Sequence, residues 1–245
     1  DLIWYTATKQ PNGTYRASVN IRDHHYTAGG TPFKYLADVY VADNAGNLLY
    51  CSSSSVSMNF TGVVNTYPII GMPSITIDKM VTAFTSRNKI YPSGVYAQYG
   101  APYIRDFCTQ LYEEAVAEGV KPEVLFVQAM HETGWLQFGG DVQNWQCNFG
   151  GLGAVDSISG DPNVPVKGAD FSIYGSSAVR IGLRAQTQHL KAYASTSLSY
   201  ANLIVDPRWG LVTKGCAPNV EDLGGKWASG SQYGYTLIAL LQQIL

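Results

Sequence analysis

The stretch Pro122-Glu123-Val124-Leu125-Phe126-Val127-Gln128-Ala129-Met130-His131-Glu132-Thr133-Gly134-Trp135 decides the reading of this chain. Pro122 stands where a proline fits the first turn of a helix. Glu123 follows where a carboxylate complements the positive end of the helix dipole. The run 124–130 is apolar almost all round, so the helix is buried on most faces. Gly134 is the residue that ends it. Glu132 therefore occupies the last turn of a buried helix, where the negative end of the dipole disfavours a carboxylate and apolar surroundings desolvate it. Both effects raise its pKa, the condition a general acid needs at neutral pH. The plain alternative is a solvated glutamate at a helix end. The buried helix, the adjoining Trp135 and the polar, glycine-rich segment that follows all weigh against it.

Helical rhythm extends on both sides. Ser74 or Thr76 can cap a helix over 78–86, with Met80, Val81 and Phe84 on one side. A Gly/Pro/Tyr-rich stretch covers 91–102. Ile104, Phe107, Cys108, Leu111, Tyr112, Ala115 and Val116 then recur at the spacing of an amphipathic helix that closes near Gly119. Residues 137–175 are glycine-rich with little periodicity and read as an irregular lobe. Ser177 opens another helix, where Val179, Leu183, Gln186, Leu190 and Tyr193 form one stripe, and 233–245 is a closing amphipathic helix.

The first 62 residues keep a different period. Leu2 to Thr8 is rich in aromatic and β-branched residues, and Gln10-Pro11-Asn12-Gly13 is a turn signal. Tyr15, Ala17, Val19 and Ile21 alternate with polar residues, as in a half-buried strand. A strand over 35–42 turns at Asp43-Asn44-Ala45-Gly46 into another over 47–51, and the serine run 52–55 ends it. The expected fold class is α+β, a mainly helical domain preceded by a small antiparallel β-sandwich.

The 245 residues carry 16 Lys and Arg against 18 Asp and Glu, a net charge of −2. Domains of about 100–200 residues are common, so one large domain or two unequal ones fit. A hydrophobic content of 46% suffices for a core and excludes a disordered chain. No basic stripe exists to neutralise phosphates, which argues against a nucleic-acid partner. No apolar run approaches the roughly 20 residues of a membrane span. Charged residues make up only 14%, beside 17 Tyr and 5 Trp, a surface that suits neutral polymers such as sugars. A start at Asp1, without Met or a signal peptide, reads as a processed or trimmed piece of something longer. Four cysteines (Cys51, Cys108, Cys147, Cys216) lack C-x-x-C spacing and leave one pair, two pairs or four thiols open.

Two other chemistries have candidates among these residues. His-Glu at 131–132 would need a second histidine at 135 to form the H-E-x-x-H zinc motif, and Trp135 stands there. His24, His25 and His189 make no metal spacing with His131, so no metal is expected. A cysteine nucleophile, Cys147 or Cys108 activated by His189, is the other option. Cys108 lies on the apolar stripe of its helix and reads as core.

Val127 to Ala154 (VQAMHETGWLQFGGDVQNWQCNFGGLGA) resembles the glucosaminidases that cleave bacterial peptidoglycan, glycoside hydrolase family 73. The shared pattern is a helix ending in Glu-Thr, here Glu132-Thr133, and a lobe opening with Asn148-Phe149-Gly150-Gly151-Leu152-Gly153-Ala154. Phe171, the stretch Arg184 to Ala194, and Val205-Asp206-Pro207-Arg208-Trp209 extend the likeness over roughly 67–245. The resemblance implies a lysozyme-like catalytic domain with a small β-lobe. It implies hydrolysis of the β-1,4 bond between N-acetylglucosamine and N-acetylmuramic acid, with Glu132 as general acid. Residues 1–62, opening on Asp1-Leu2-Ile3-Trp4-Tyr5-Thr6-Ala7, resemble the Bsp-like repeats of Gram-positive surface proteins, which are β-sandwich accessory modules.

These likenesses set the remaining expectations. The partner is the peptidoglycan glycan strand, the location extracellular at the cell wall, the state monomeric, with no cofactor. Trp135, Phe138, Phe149 and Tyr193 are expected to stack on sugars, and His189 to border the cleft. Cys147 and Cys216, both in loop-like segments, are expected to form a disulfide. Among Asp141, Asp156, Asp161 and Asp170, Asp156 is the best-placed second carboxylate. It is expected beyond nucleophile distance, as a base for water or an oxazolinium stabiliser, because the substrate's own N-acetyl group can attack instead. The rival functions are a lytic transglycosylase and a catalytically dead wall-binding or adhesion protein.

Overall fold

A computed structural model describes residues 5–13, 15–17, 33–42, 48–58, 66–154 and 167–245. Contacts divide the chain into two compact units, Asp1–Asn65 and Thr66–Leu245.

In the first unit, the amide of Gly13 donates to the carbonyl of Gln10 at 3.0 Å, closing the turn that its sequence signals. The turn joins β1 (Thr8–Lys9) to the antiparallel β2 (Tyr15–Arg16). A longer antiparallel pair follows, β3 (Phe33–Ala42) on β4 (Leu48–Met58), in register from Phe33 opposite Met58 to Ala42 opposite Leu48. An irregularity between Val39 and Tyr40 shifts the pairing by one residue. The serine run does not end the strand. Ser52 to Ser55 pair with Val39 to Leu36 and β4 continues to Met58, because ladder bonds come from the backbone and β3 supplies a partner along the whole run. The described residues form two separate two-stranded pairings, and the turn expected at 43–46 lies outside them.

The second unit is helical. Thr76 caps α1 (Ile77–Thr85) by accepting the amide of Lys79 at 3.2 Å. After the short α2 (Ser93–Tyr96), α3 (Ile104–Glu118) ends on Gly119, whose φ of 75° supplies the left-handed residue such a terminus needs. α4 (Pro122–Glu132) begins on its proline and is buried from Pro122 to Met130, packed against α3, α5 (Ala178–Ala194) and α6 (Tyr233–Ile244). Its largely apolar sequence has this cause: Pro122 to Met130 are all buried, so no face of α4 meets water until its C-terminal turn.

Charge fastens α3 to α5. The buried Glu114 accepts a bidentate pair from Arg184 at 2.8 and 3.0 Å and a third bond from Arg180. Buried Glu118 accepts from Lys191 at 2.8 Å and from the amides of Ala201 and Asn202. α5 also presses on the lobe at Gly182, where a β-carbon would come within 1.8 Å of the Cys147 carbonyl oxygen. Only glycine lets the helix approach that closely.

The lobe differs from expectation. Among its described residues there are turns and short 3-10 segments (Asn144–Gln146, Ser172–Ser177) but no strand. Left-handed residues at Phe138, Gly139, Cys147, Gly151, Gly153 and Gly168 are incompatible with a pleated ladder. The disulfide is also absent: Cys147 and Cys216 are free thiols. Cys147 lies against Gly182, whereas Gly215 and Ala217 bond the carbonyls of Ala192 and Tyr193 at the far end of α5. Positions 182 and 192 stand roughly 15 Å apart along a helix, about twice the span a disulfide bridges.

Candidate active site

Glu132 is the last residue of α4, and the chain leaves it by an unusual turn. Gly134, Trp135 and Leu136 all have φ near +60°. Left-handed backbone costs a non-glycine residue about 1–2 kcal/mol, so something must hold it. The buried Thr133 does. Its hydroxyl donates to Ala129 O at 2.7 Å and accepts the Leu136 amide at 2.9 Å, while the Trp135 amide reaches Met130 O at 2.7 Å. The turn fixes where the Glu132 side chain leaves the helix.

Three groups crowd its carboxyl. Tyr233, at the start of α6, donates its hydroxyl proton to Glu132 Oε1. The indole of Trp227 lies close enough to the same carboxyl to favour its charged form. Oε2 faces Gly151, where a β-carbon would lie 3.3 Å from it. Glu132 as a whole is open to solvent, but its carboxyl end is hemmed in, and this burial pushes its pKa above the usual carboxylate range. Tyr233 and Trp227 oppose the rise without cancelling it.

Behind Tyr233 lies a relay of buried side chains. Gln186 on α5 donates to Gln128 Oε1 at 2.9 Å, and Gln128 donates to the Tyr233 oxygen at 3.1 Å. An amide NH₂ is only a donor, so the Tyr233 proton is directed at Glu132. Oε1 thus acts as acceptor, and the oxygen facing Gly151 is the one available to carry a proton.

Beside this carboxyl opens a cavity of about 200 Å³, lined by Gly150 to Ala154, His189, Tyr193, Arg208 and Trp227 among others. Asn148 shapes its glycine wall, donating to Leu152 O and accepting the Leu152 amide, both at 2.9 Å. Gly150 is required there, since a β-carbon would fall 2.8 Å from Gln186 and 3.2 Å from Trp227. His189 Nδ1 sits 2.7 Å from Oδ2 of the buried Asp206, and its ring packs edge-on against Tyr193 and Trp227.

The expected site residues separate into groups. His189 and Tyr193 line the cavity beside Glu132. Phe149 does not: it is fully buried against Tyr96, Phe107 and Phe138, with no face left for a sugar. Trp135 turns away toward α1, packing on Phe84 and Phe126 under the guanidinium of Arg87. Phe138 is half-buried against Phe149. Asp156 and Asp161 lie outside the described residues, Asp141 pairs with Lys167, and Asp170 accepts the Ser172 amide. Cys108 is core, as its stripe implied, and burial pushes the thiols of Cys108 and Cys147 up to about 12, which leaves neither suited to nucleophilic attack. Among the described residues, no group of three or more His, Cys, Asp or Glu is placed to hold a metal ion.

Residues 108–245 match the family described as mannosyl-glycoprotein endo-β-N-acetylglucosaminidase, more than half of the chain. The chain belongs to this glucosaminidase family. The family is one of glycoside hydrolases, and its matched span contains α4, the glycine wall, α5 and α6, hence every group that touches Glu132. Residues 1–56 match the GBS Bsp-like repeat. An uncharacterized protein of Borreliella burgdorferi is 36% identical over 143 residues, covering 58% of this chain and 64% of that protein. The chain thus spans somewhat less than two thirds of that relative. No solved structure matches it. Among the described residues no helix is long and apolar enough to cross a membrane.

Tyr233 and Trp227 were not among the expected site residues. Their signal was indirect: Gln128 interrupts an apolar run and Gln186 sits on the buried stripe of α5, and a buried amide demands a polar partner.

Proposed function

We propose that the glucosaminidase unit hydrolyses the β-1,4 bond between N-acetylglucosamine and N-acetylmuramic acid in peptidoglycan, with Glu132 as general acid. The observation that carries this reading is a carboxyl with a raised pKa at the edge of an open, aromatic-lined cavity. Protonated Glu132 gives its proton to the glycosidic oxygen as the bond breaks. Tyr233 and Trp227 then stabilise the carboxylate left behind, in the arrangement that general acid catalysis needs. Tyr193 and Trp227 offer ring faces to the sugars, with His189 between them.

The second group is the substrate's own N-acetyl oxygen, which attacks the anomeric carbon before water completes hydrolysis. The engagement of Asp141, Asp170 and Asp206 by other partners supports this route. Asp156 is assigned the lesser part of a base for water. The unit spans 67–245, and 1–62 is a β-sandwich accessory module of a secreted, cell-wall-associated, monomeric protein. Mass spectrometry of fragments from purified peptidoglycan tests the reading. Reducing N-acetylglucosamine ends are expected. Anhydromuramic ends would mark a lytic transglycosylase instead, and an absence of fragments a dead domain.

A further inference from the structure

The cavity beside Glu132 is lined by glycines, apolar side chains and aromatic rings, yet Arg208 and Lys226 bring cations into it. Lys226 is satisfied by the carbonyl of Cys216, and nearby Lys214 by the carbonyls of Trp209 and Val212. Arg208 differs. It is half-buried, and among the described residues neither a carbonyl nor a carboxylate accepts from its guanidinium. The nearest acid in sequence, Asp206, is fully engaged: Oδ2 by His189 at 2.7 Å and Oδ1 by the backbone amide of Arg208 itself at 2.8 Å. That second bond fixes the backbone from which the guanidinium leaves. The side chain then passes the glycine wall, its Cδ 3.9 Å from where a Gly153 β-carbon would stand, and its charge is felt at the Tyr193 hydroxyl, where it opposes the effect of burial.

A neutral oligosaccharide could use its N–H donors but would leave its charge uncompensated. A half-buried guanidinium is a fork for a carboxylate or phosphate. Of the two sugars that alternate along peptidoglycan, only N-acetylmuramic acid brings a carboxylate, through the lactyl ether at its O3 or the peptide stem attached there. We propose that Arg208 is an anion subsite that binds this lactyl-side carboxylate and selects muramic-acid-containing strands over neutral N-acetylglucosamine glycans. The inference rests on the glycosidase reading above and deepens it. Gly151 ties the two together, because it lines the cavity with Arg208 and faces Oε2 of the acid Glu132. A carboxylate held by Arg208 therefore anchors the strand within one or two sugars of the cleaved bond, where binding energy aids the chemical step.

The test compares the full chain with Arg208→Gln and Arg208→Lys on three soluble glycans. The first is peptide-stripped, with free lactyl carboxylates; the second keeps its stems; the third is the stemmed glycan with its carboxylates converted to methylamides. Reducing-end release gives kcat/KM. Arg208→Gln is expected to lose about tenfold or more on a carboxylate-bearing glycan, the scale of one charge-assisted hydrogen bond. Its rate on the amidated glycan should stay within about twofold of wild type. Arg208→Lys should recover part of the loss, without the bidentate geometry. Loss on the first glycan names the lactyl carboxylate as ligand, and loss on the second alone names a stem carboxylate. Equal loss on all three, or none on any, overturns the proposal while the glycosidase reading stands. Wild-type inactivity on all three would remove that reading itself.

Discussion

Replacing Tyr233 by Phe removes one oxygen with two roles, and the roles have separable consequences. The hydroxyl accepts from Gln128, whose side chain is fully buried, so the variant leaves an amide donor without a partner. An orphaned buried donor costs about 1–3 kcal/mol, and for a unit of this size each kcal/mol lowers Tm by about 2–4 °C. A fall of roughly 2–12 °C is therefore expected by thermal melting. The second role is electrostatic. Tyr233 donates to Glu132, a bond that favours the charged carboxylate and holds down the rise that burial imposes. Without it the carboxylate loses stabilisation and the Glu132 pKa climbs further. A general acid works protonated, so activity falls as pH rises through that pKa, and the basic limb of kcat/KM against pH should move to higher pH in the variant. The assay is hydrolysis of soluble glycan fragments across the pH range, beside a melt at each pH. A melting loss with an unmoved limb, or a limb moved to lower pH, would refute the assignment of Tyr233 as the group that tunes Glu132.

Two other substitutions or treatments probe the frame. Gly182→Ala would place a β-carbon 1.8 Å from the Cys147 carbonyl, so α5 must shift; overpacking of this kind costs about 1–3 kcal/mol or more, read as a lower Tm or insoluble protein. Maleimide labelling of denatured protein without reductant should modify Cys147 and Cys216 fully, as free thiols require; a mapped peptide joining the two would contradict the structure.

The longer helices were legible because they are marked at an end or along their length, whereas the four-residue α2 is too short to carry such a pattern. Pro122 opens α4, Gly119 closes α3, and the stripe from Val179 to Tyr193 describes the buried side of α5. Glu132 was legible for the same reason, since a carboxylate closing an apolar helix is an anomaly within a single element. What was not legible depends on distance through space. Tyr233 reaches Glu132 across 101 residues, and nothing local distinguishes it from a core tyrosine of an amphipathic helix. Phe149 and Trp135 carry the ring a sugar site wants, but packing decides otherwise: one is enclosed by three aromatics, and the left-handed turn at 134–136 directs the other onto α1. The disulfide failed on the same ground, for loop composition does not tell how far apart α5 holds its two ends. Asp156 and the turn at 43–46 lie outside the described residues.

The central claim is that Glu132 is the acid that breaks the glycan. The most direct measurement is turnover of purified peptidoglycan by the wild-type chain and by Glu132→Gln, counted as N-acetylglucosamine reducing ends, with a melt of both proteins alongside. The amide is nearly the same shape and retains an acceptor oxygen for Tyr233, so the fold should hold. Loss of a general acid should lower the rate by about 10²–10⁴. Turnover by the variant at the wild-type rate, with the same ends released, would contradict the account.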